Sequence, residues 1–97
     1  MIVNGTTKDG YNYSIESDLL KDWRFCHLIA RTMKPKDEHD SIITQNALVE
    51  LLIGEDNIDA FAGTIAKSNN GLVPVQAVSD ALVEIINALK NDKDVKN

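Results

Sequence analysis

The sequence is short of most residue types from which chemistry is built. One cysteine stands in 97 residues, so no internal disulfide can form and a reducing compartment is expected. Two prolines and five glycines occur, and the glycines, at 5, 10, 54, 63 and 71, are isolated. None of them builds a loop that cradles phosphate. Aromatic residues make up 5% of the chain, which leaves the core to aliphatic side chains. No apolar run approaches the roughly 20 residues of a membrane-crossing helix. The opening Met1-Ile2-Val3-Asn4-Gly5 also lacks the basic and apolar regions of a signal peptide. The expected location is cytoplasmic, with no membrane partner, and the glycosylation sequons at Asn4 and Asn12 are expected to carry nothing.

Clustered positive charge is missing too. Ten Lys+Arg stand against 15 Asp+Glu, for a formal net charge of −5, and the basic residues are scattered. Nucleic-acid affinity comes largely from grouped cations that displace counterions, so DNA or RNA is not an expected partner. The two histidines, His27 and His39, are separated by Pro35, and no hydroxyl residue sits in a nucleophile motif. Asp37, Glu38, His39 and Asp40 are contiguous rather than set at a ligand spacing. They read as a solvated linker in which Asp40 caps the next helix. Asp56 and Asp59 can share a helix face, but acid–base work needs a pocket that drives two carboxyl pKa values apart. No enzyme activity, metal or cofactor is expected.

What is present is a 43% hydrophobic, 26% charged chain, the balance of an ordinary globular protein. At this length it buries roughly two thirds of its unfolded surface around one core. A single domain is expected over 1–97: a β-arm at 1–16, a helical body at 17–91 and a frayed tail at 92–97. In the arm, Tyr11, Tyr13 and Ile15 alternate with polar residues, and Asp9-Gly10 supplies a tight turn back to Ile2-Val3. Two strands are marginal alone, so the arm must lie on helices or join another chain's sheet.

The first helix is predicted from Ser17 or Asp18 to about Met33, ahead of Pro35. At about 100° per residue, Leu19, Trp23, Cys26, Ala30 and Met33 share a narrow arc that reads as the core stripe. Cys26 then packs as a small hydrophobe, with His27 at the edge. Phe25 and Leu28 point elsewhere, which requires either cover by the hairpin or contact with a partner. The second helix, Ser41 to Ile53, ends at Gly54 and is apolar over most of its circumference, as a central or interfacial helix would be. The third, Asp56 to Ser68, faces inward with Ile58, Phe61, Ala62 and Ile65, and Asn69-Asn70-Gly71 breaks it. The fourth runs from Pro74 to about Asn91 with Val75, Val78, Leu82, Ile85, Ile86 and Leu89 in one stripe. The expected fold is mainly α, a short hairpin or extended arm followed by about four helices.

Three segments carry a resemblance: Asp22-Trp23, Leu51-Leu52-Ile53-Gly54-Glu55 and Val73-Pro74-Val75. In order and spacing they resemble the small tail assembly chaperones of siphophages and prophages of Gram-positive bacteria, over about Tyr11 to Asn91. The resemblance implies a small, helical, non-catalytic protein, prone to self-associate as a homo-oligomer, that coats the tape measure protein and keeps it soluble. In many such phages the gene also yields a longer, frameshifted product. An apolar groove is the expected means of holding a long amphipathic client, with Phe25, Leu28, Leu72 and Val73 as candidate contacts. Two other readings stand beside it: a small virion component whose β-arm adds a strand to a neighbour, and a regulator that binds another protein.

Overall fold

The computed structural model describes the backbone of residues 1–95 and the side chains of residues 1–91. A hairpin of β1 (Ile2–Thr6) and β2 (Asn12–Glu16) is followed by a 3-10 turn over Ser17–Lys21 and by α1 (Trp23–Met33), α2 (Glu38–Leu52), α3 (Ile58–Ser68) and α4 (Val75–Val95). The strands are antiparallel, with Val3 opposite Ile15 and Gly5 opposite Tyr13. The Gly10 amide donates to the Thr7 carbonyl at 2.9 Å. Lys8 and Asp9 thus form the corner, and Gly10 takes the left-handed φ of 99° that closes it. Thr7, although buried, is satisfied within this loop because its hydroxyl accepts from the Tyr11 amide at 3.1 Å.

The alternation in the arm is a core pattern. Val3, Tyr13 and Ile15 are buried and join a cluster that reaches into every helix, including Leu48, Leu52, Phe61, Ile65, Leu82, Ile85 and Leu89. The arm folds back on its own chain: β1 packs on α4, and the Lys8 amide donates to Glu84 at 3.1 Å. Tyr11 meets Phe61 edge to face at 5.2 Å, which seats the hairpin on α3 as well.

Gly5 is required by that packing. A Cβ at this position would fall 2.2 Å from the Tyr13 hydroxyl oxygen and 2.4 Å from its ring, so the buried ring would have to leave its place to admit one. The Tyr13 side chain covers the glycine opposite it, a recurring device in sheets. Gly5→Ala is expected to destabilise the fold by about 1–3 kcal/mol, as overpacked sites do, and a lower urea midpoint in equilibrium unfolding checks this.

The helices depart from the expected limits for local reasons. Asp22, with extended backbone, is the N-cap of α1 and accepts from the Arg24 amide at 2.8 Å. The Arg24 guanidinium also grips its carboxylate at 2.9 and 3.1 Å, and this holds the Asp22 carboxyl down to about 2. The helix therefore starts at Trp23, and Leu19 and Leu20 sit in the 3-10 turn instead of one turn back along α1.

That shift removes Leu19 from the expected stripe and decides which face of α1 is buried. Phe25 is 4% exposed, with Leu28 and Ile29 packed beside it against the core. Trp23 and Met33 are 72% and 77% exposed, and Cys26 and Ala30 are also in solvent. The expected stripe is thus the outer face. A Phe, a Leu and an Ile bury more apolar surface than a face whose middle is Cys and Ala. The buried face turns to α2, with which α1 makes its principal contact; the hairpin packs elsewhere.

The N-cap of α2 is Asp37, which accepts from the Asp40 amide at 2.7 Å, so the helix begins three residues before the expected Ser41. Buried Thr44 donates to the Asp40 carbonyl at 2.8 Å, which satisfies its hydroxyl within the helix. Gly54 follows α2 at φ 93°, and Glu55–Asn57 form a 3-10 turn ahead of α3, where the sequence predicted the helix itself from Asp56. After α3 the Gly71 amide donates to the Ala66 carbonyl at 2.8 Å, with Asn70 and Gly71 both at positive φ.

In the fourth helix Ile85 and Leu89 are fully buried, and the helix packs on β1, the 3-10 turn at Ser17–Lys21 and α3. It continues to Val95, so the frayed tail expected from residue 92 is helical through 95. Residues 96–97 of that tail lie outside the described residues.

Candidate functional site: an apolar groove between three helices

Among the described residues no helix is long and apolar enough to cross a membrane, and no three His, Cys, Asp or Glu side chains cluster as metal ligands. Asp37, read from the sequence as solvated linker, is the helix cap, and Asp40, expected to be that cap, lies within the first turn of α2 and pairs with Arg31 instead.

Cys26, expected in the core, is exposed. Its thiol donates to the Leu20 carbonyl at 3.4 Å, and its neighbour His27 stacks on Trp23, with ring centroids 4.8 Å apart and planes 13° from parallel. An exposed thiol reacts without unfolding. One thiol per chain is therefore expected to titrate with a disulfide reagent in native buffer, at a rate little changed by denaturant.

The four residues selected from sequence are dispersed. Phe25 lies in the core and presents no surface to a partner in this fold, and Leu28 is half-buried against the same cluster. Leu72 and Val73 are exposed in the connector that leads into α4. The concave apolar surface is formed by other residues.

A groove of about 310 Å³ runs between α1, α2 and α4. Ile29 and Thr32 of α1 and Ser41, Ile42, Gln45 and Leu48 of α2 form one side. Val75, Gln76, Ser79, Leu82, Val83 and Ile86 of α4 form the other. Leu48 and Leu82 are buried at its floor, while Val75 and Val83 at its rim are 58% and 54% exposed. Gln45 reaches across to donate to the Val75 carbonyl at 3.3 Å.

The walls offer aliphatic carbon, hydroxyls and amides, and no ionisable side chain among the described residues lines them. The groove suits an apolar side-chain row with neutral polar flanks, and it holds no acid–base pair. Its signal in the sequence was indirect. Ile42 belonged to the apolar excess on α2, and Val83 is an apolar residue of α4 that lies outside the predicted stripe.

The α1 and α2 walls are joined by a polar contact. The Arg31 guanidinium donates to Asp40, whose carboxylate also accepts from the Lys36 amide at 3.1 Å. The Lys36 amide and the Arg31 guanidinium both hold the Asp40 carboxyl below its ordinary range, so it is charged at neutral pH.

The sequence matches no protein-family model, no curated protein and no solved structure. The reading of the groove therefore rests on its own shape and chemistry and on the sequence segments described above.

Proposed function

We propose that this protein is a non-catalytic tail assembly chaperone of a phage or prophage, acting in the bacterial cytoplasm, that holds an apolar face of the tape measure protein until assembly. The observation that carries the reading is the open groove between α1, α2 and α4, with an apolar floor and exposed aliphatic residues at its rim. An amphipathic helix presents apolar anchors at i, i+3, i+4 and i+7, and a groove between helices is the usual seat for such a row. The groove also suits transient holding: its contacts are aliphatic and its polar lining is neutral, so no desolvated ion pair fixes the client in place. The three segments that resemble the chaperone family supply the identity of the client. Among them, Val73-Pro74-Val75 delivers the chain into α4 at one end of the groove.

Co-expression with tape measure fragments from the same gene cluster tests the proposal. The wild-type chain is expected to bring fragments that otherwise precipitate into the soluble fraction. Ile42→Asp and Val83→Asp are expected to weaken the association about tenfold each, the usual effect of losing an anchor contact, with helical circular dichroism retained. Precipitation of every fragment beside a folded wild-type chain refutes the assignment.

A further inference from the structure

We infer that Arg31 and Asp40 form a clasp that sets the spacing of α1 and α2 and so holds the groove in its binding shape. The inference rests on reading the groove as the client site. Arg31 stands between Ile29 and Thr32, which line the groove from α1, and Asp40 immediately precedes Ser41 and Ile42, which line it from α2. The ion pair thus joins the two helices beside the residues that shape one wall. The Lys36 amide, donating to the same carboxylate, ties in the connector between the helices.

Asp40 is only 14% exposed at its side chain, against 38% for Arg31, so the contact is shielded from water more than a typical surface pair. Without it, α1 keeps its Phe25 anchor toward the core but loses its polar tie near its C-terminal end, where Ile29 and Thr32 meet the groove. Both residues are positioning residues, since neither lines the groove itself.

The test uses the full chain in a Cys26→Ser background, with spin labels at Ala30→Cys on α1 and Asn46→Cys on α2, both exposed and outside the groove. One narrow distance distribution is expected for this chain, broadened or split on adding Asp40→Asn or Arg31→Gln, and largely preserved with Arg31→Lys. Circular dichroism should be unchanged throughout. The Asp40→Asn chain without labels is also expected to bind a tape measure fragment roughly threefold more weakly or worse, in keeping with the loss of a partly shielded ion pair. Unchanged distances in both Asp40→Asn and Arg31→Gln overturn the clasp. If the wild-type chain binds no fragment while the distances respond as described, the clasp stands and the client reading falls.

Discussion

Replacing Phe25 by aspartate is expected to unfold the protein, whereas the same change at Trp23, two residues away, leaves it folded. Both are large aromatic residues on α1, yet they lie on opposite sides of the structure. Phe25 is 4% exposed and belongs to the core cluster. Removing a buried Phe side chain to Ala costs about 3–5 kcal/mol, and a carboxylate left in the same space adds the penalty of an unpaired buried charge. A domain of this size has about 5–15 kcal/mol in total, so Phe25→Asp sits at or below the margin. Trp23 is 72% exposed and stacks on His27 at the surface. Trp23→Asp is expected to change stability by no more than about 0.5 kcal/mol, as surface substitutions do. Paired urea titrations followed by circular dichroism decide the matter. Equal losses at the two positions would mean that α1 buries both faces.

The second large effect is expected at Ile85. This residue is 0% exposed and sits on the inner face of α4, the helix that meets the hairpin, the 3-10 turn and α3. Ile85→Ala should cost about 2–5 kcal/mol, because the transfer energy of the lost carbons and the cavity left behind add together. For a domain of about 100 residues each kcal/mol lowers the melting temperature by roughly 4–8 °C. Val75, in the same sequence stripe but at the exposed start of the helix, should tolerate Val75→Ala with a small fraction of that loss. A thermal melt of the two variants side by side measures the difference, and similar melting temperatures would remove α4 from the centre of the fold.

The comparison of α1 with α4 shows what the sequence made legible. On α4 a single stripe ran from Val75 to Leu89 without a rival, and periodicity found the buried face at Leu82, Ile85 and Leu89, although Val75 at its start is exposed. The hairpin was equally plain, because Tyr13 and Ile15 alternate and Gly10 supplies the turn. Periodicity failed on α1 because two apolar faces competed. The choice between them depended on where the helix begins, which Asp22 decides through a cap and a guanidinium contact rather than through hydrophobic spacing. Had Ser17 or Asp18 been the cap, Leu19 would have lain one turn before Trp23 and strengthened the other face. Phe25 and Leu28 were chosen as partner contacts because they lay off the presumed stripe, and that same fact places them inside.

The groove was less legible than the fold, for a different reason. It draws on three helices, and the pairing of Ile42 with Val83 across it depends on how α2 and α4 settle against the core, which no local pattern encodes. Only the excess was visible: too many apolar residues on α2, and a valine on the outer side of α4. In the fold that excess is exposed at Ile42 and Val83.

The central claim is that this groove receives the tape measure helix, and amide chemical-shift mapping tests it most directly. A labelled sample of the chain is titrated with a tape measure fragment that it keeps in solution. Perturbations concentrated at Ile29, Ile42, Gln45, Val75 and Val83, with the hairpin and the Trp23–Met33 face unmoved, are the result predicted here. Perturbations confined to the hairpin or to the outer face of α1, with the groove silent, would contradict it.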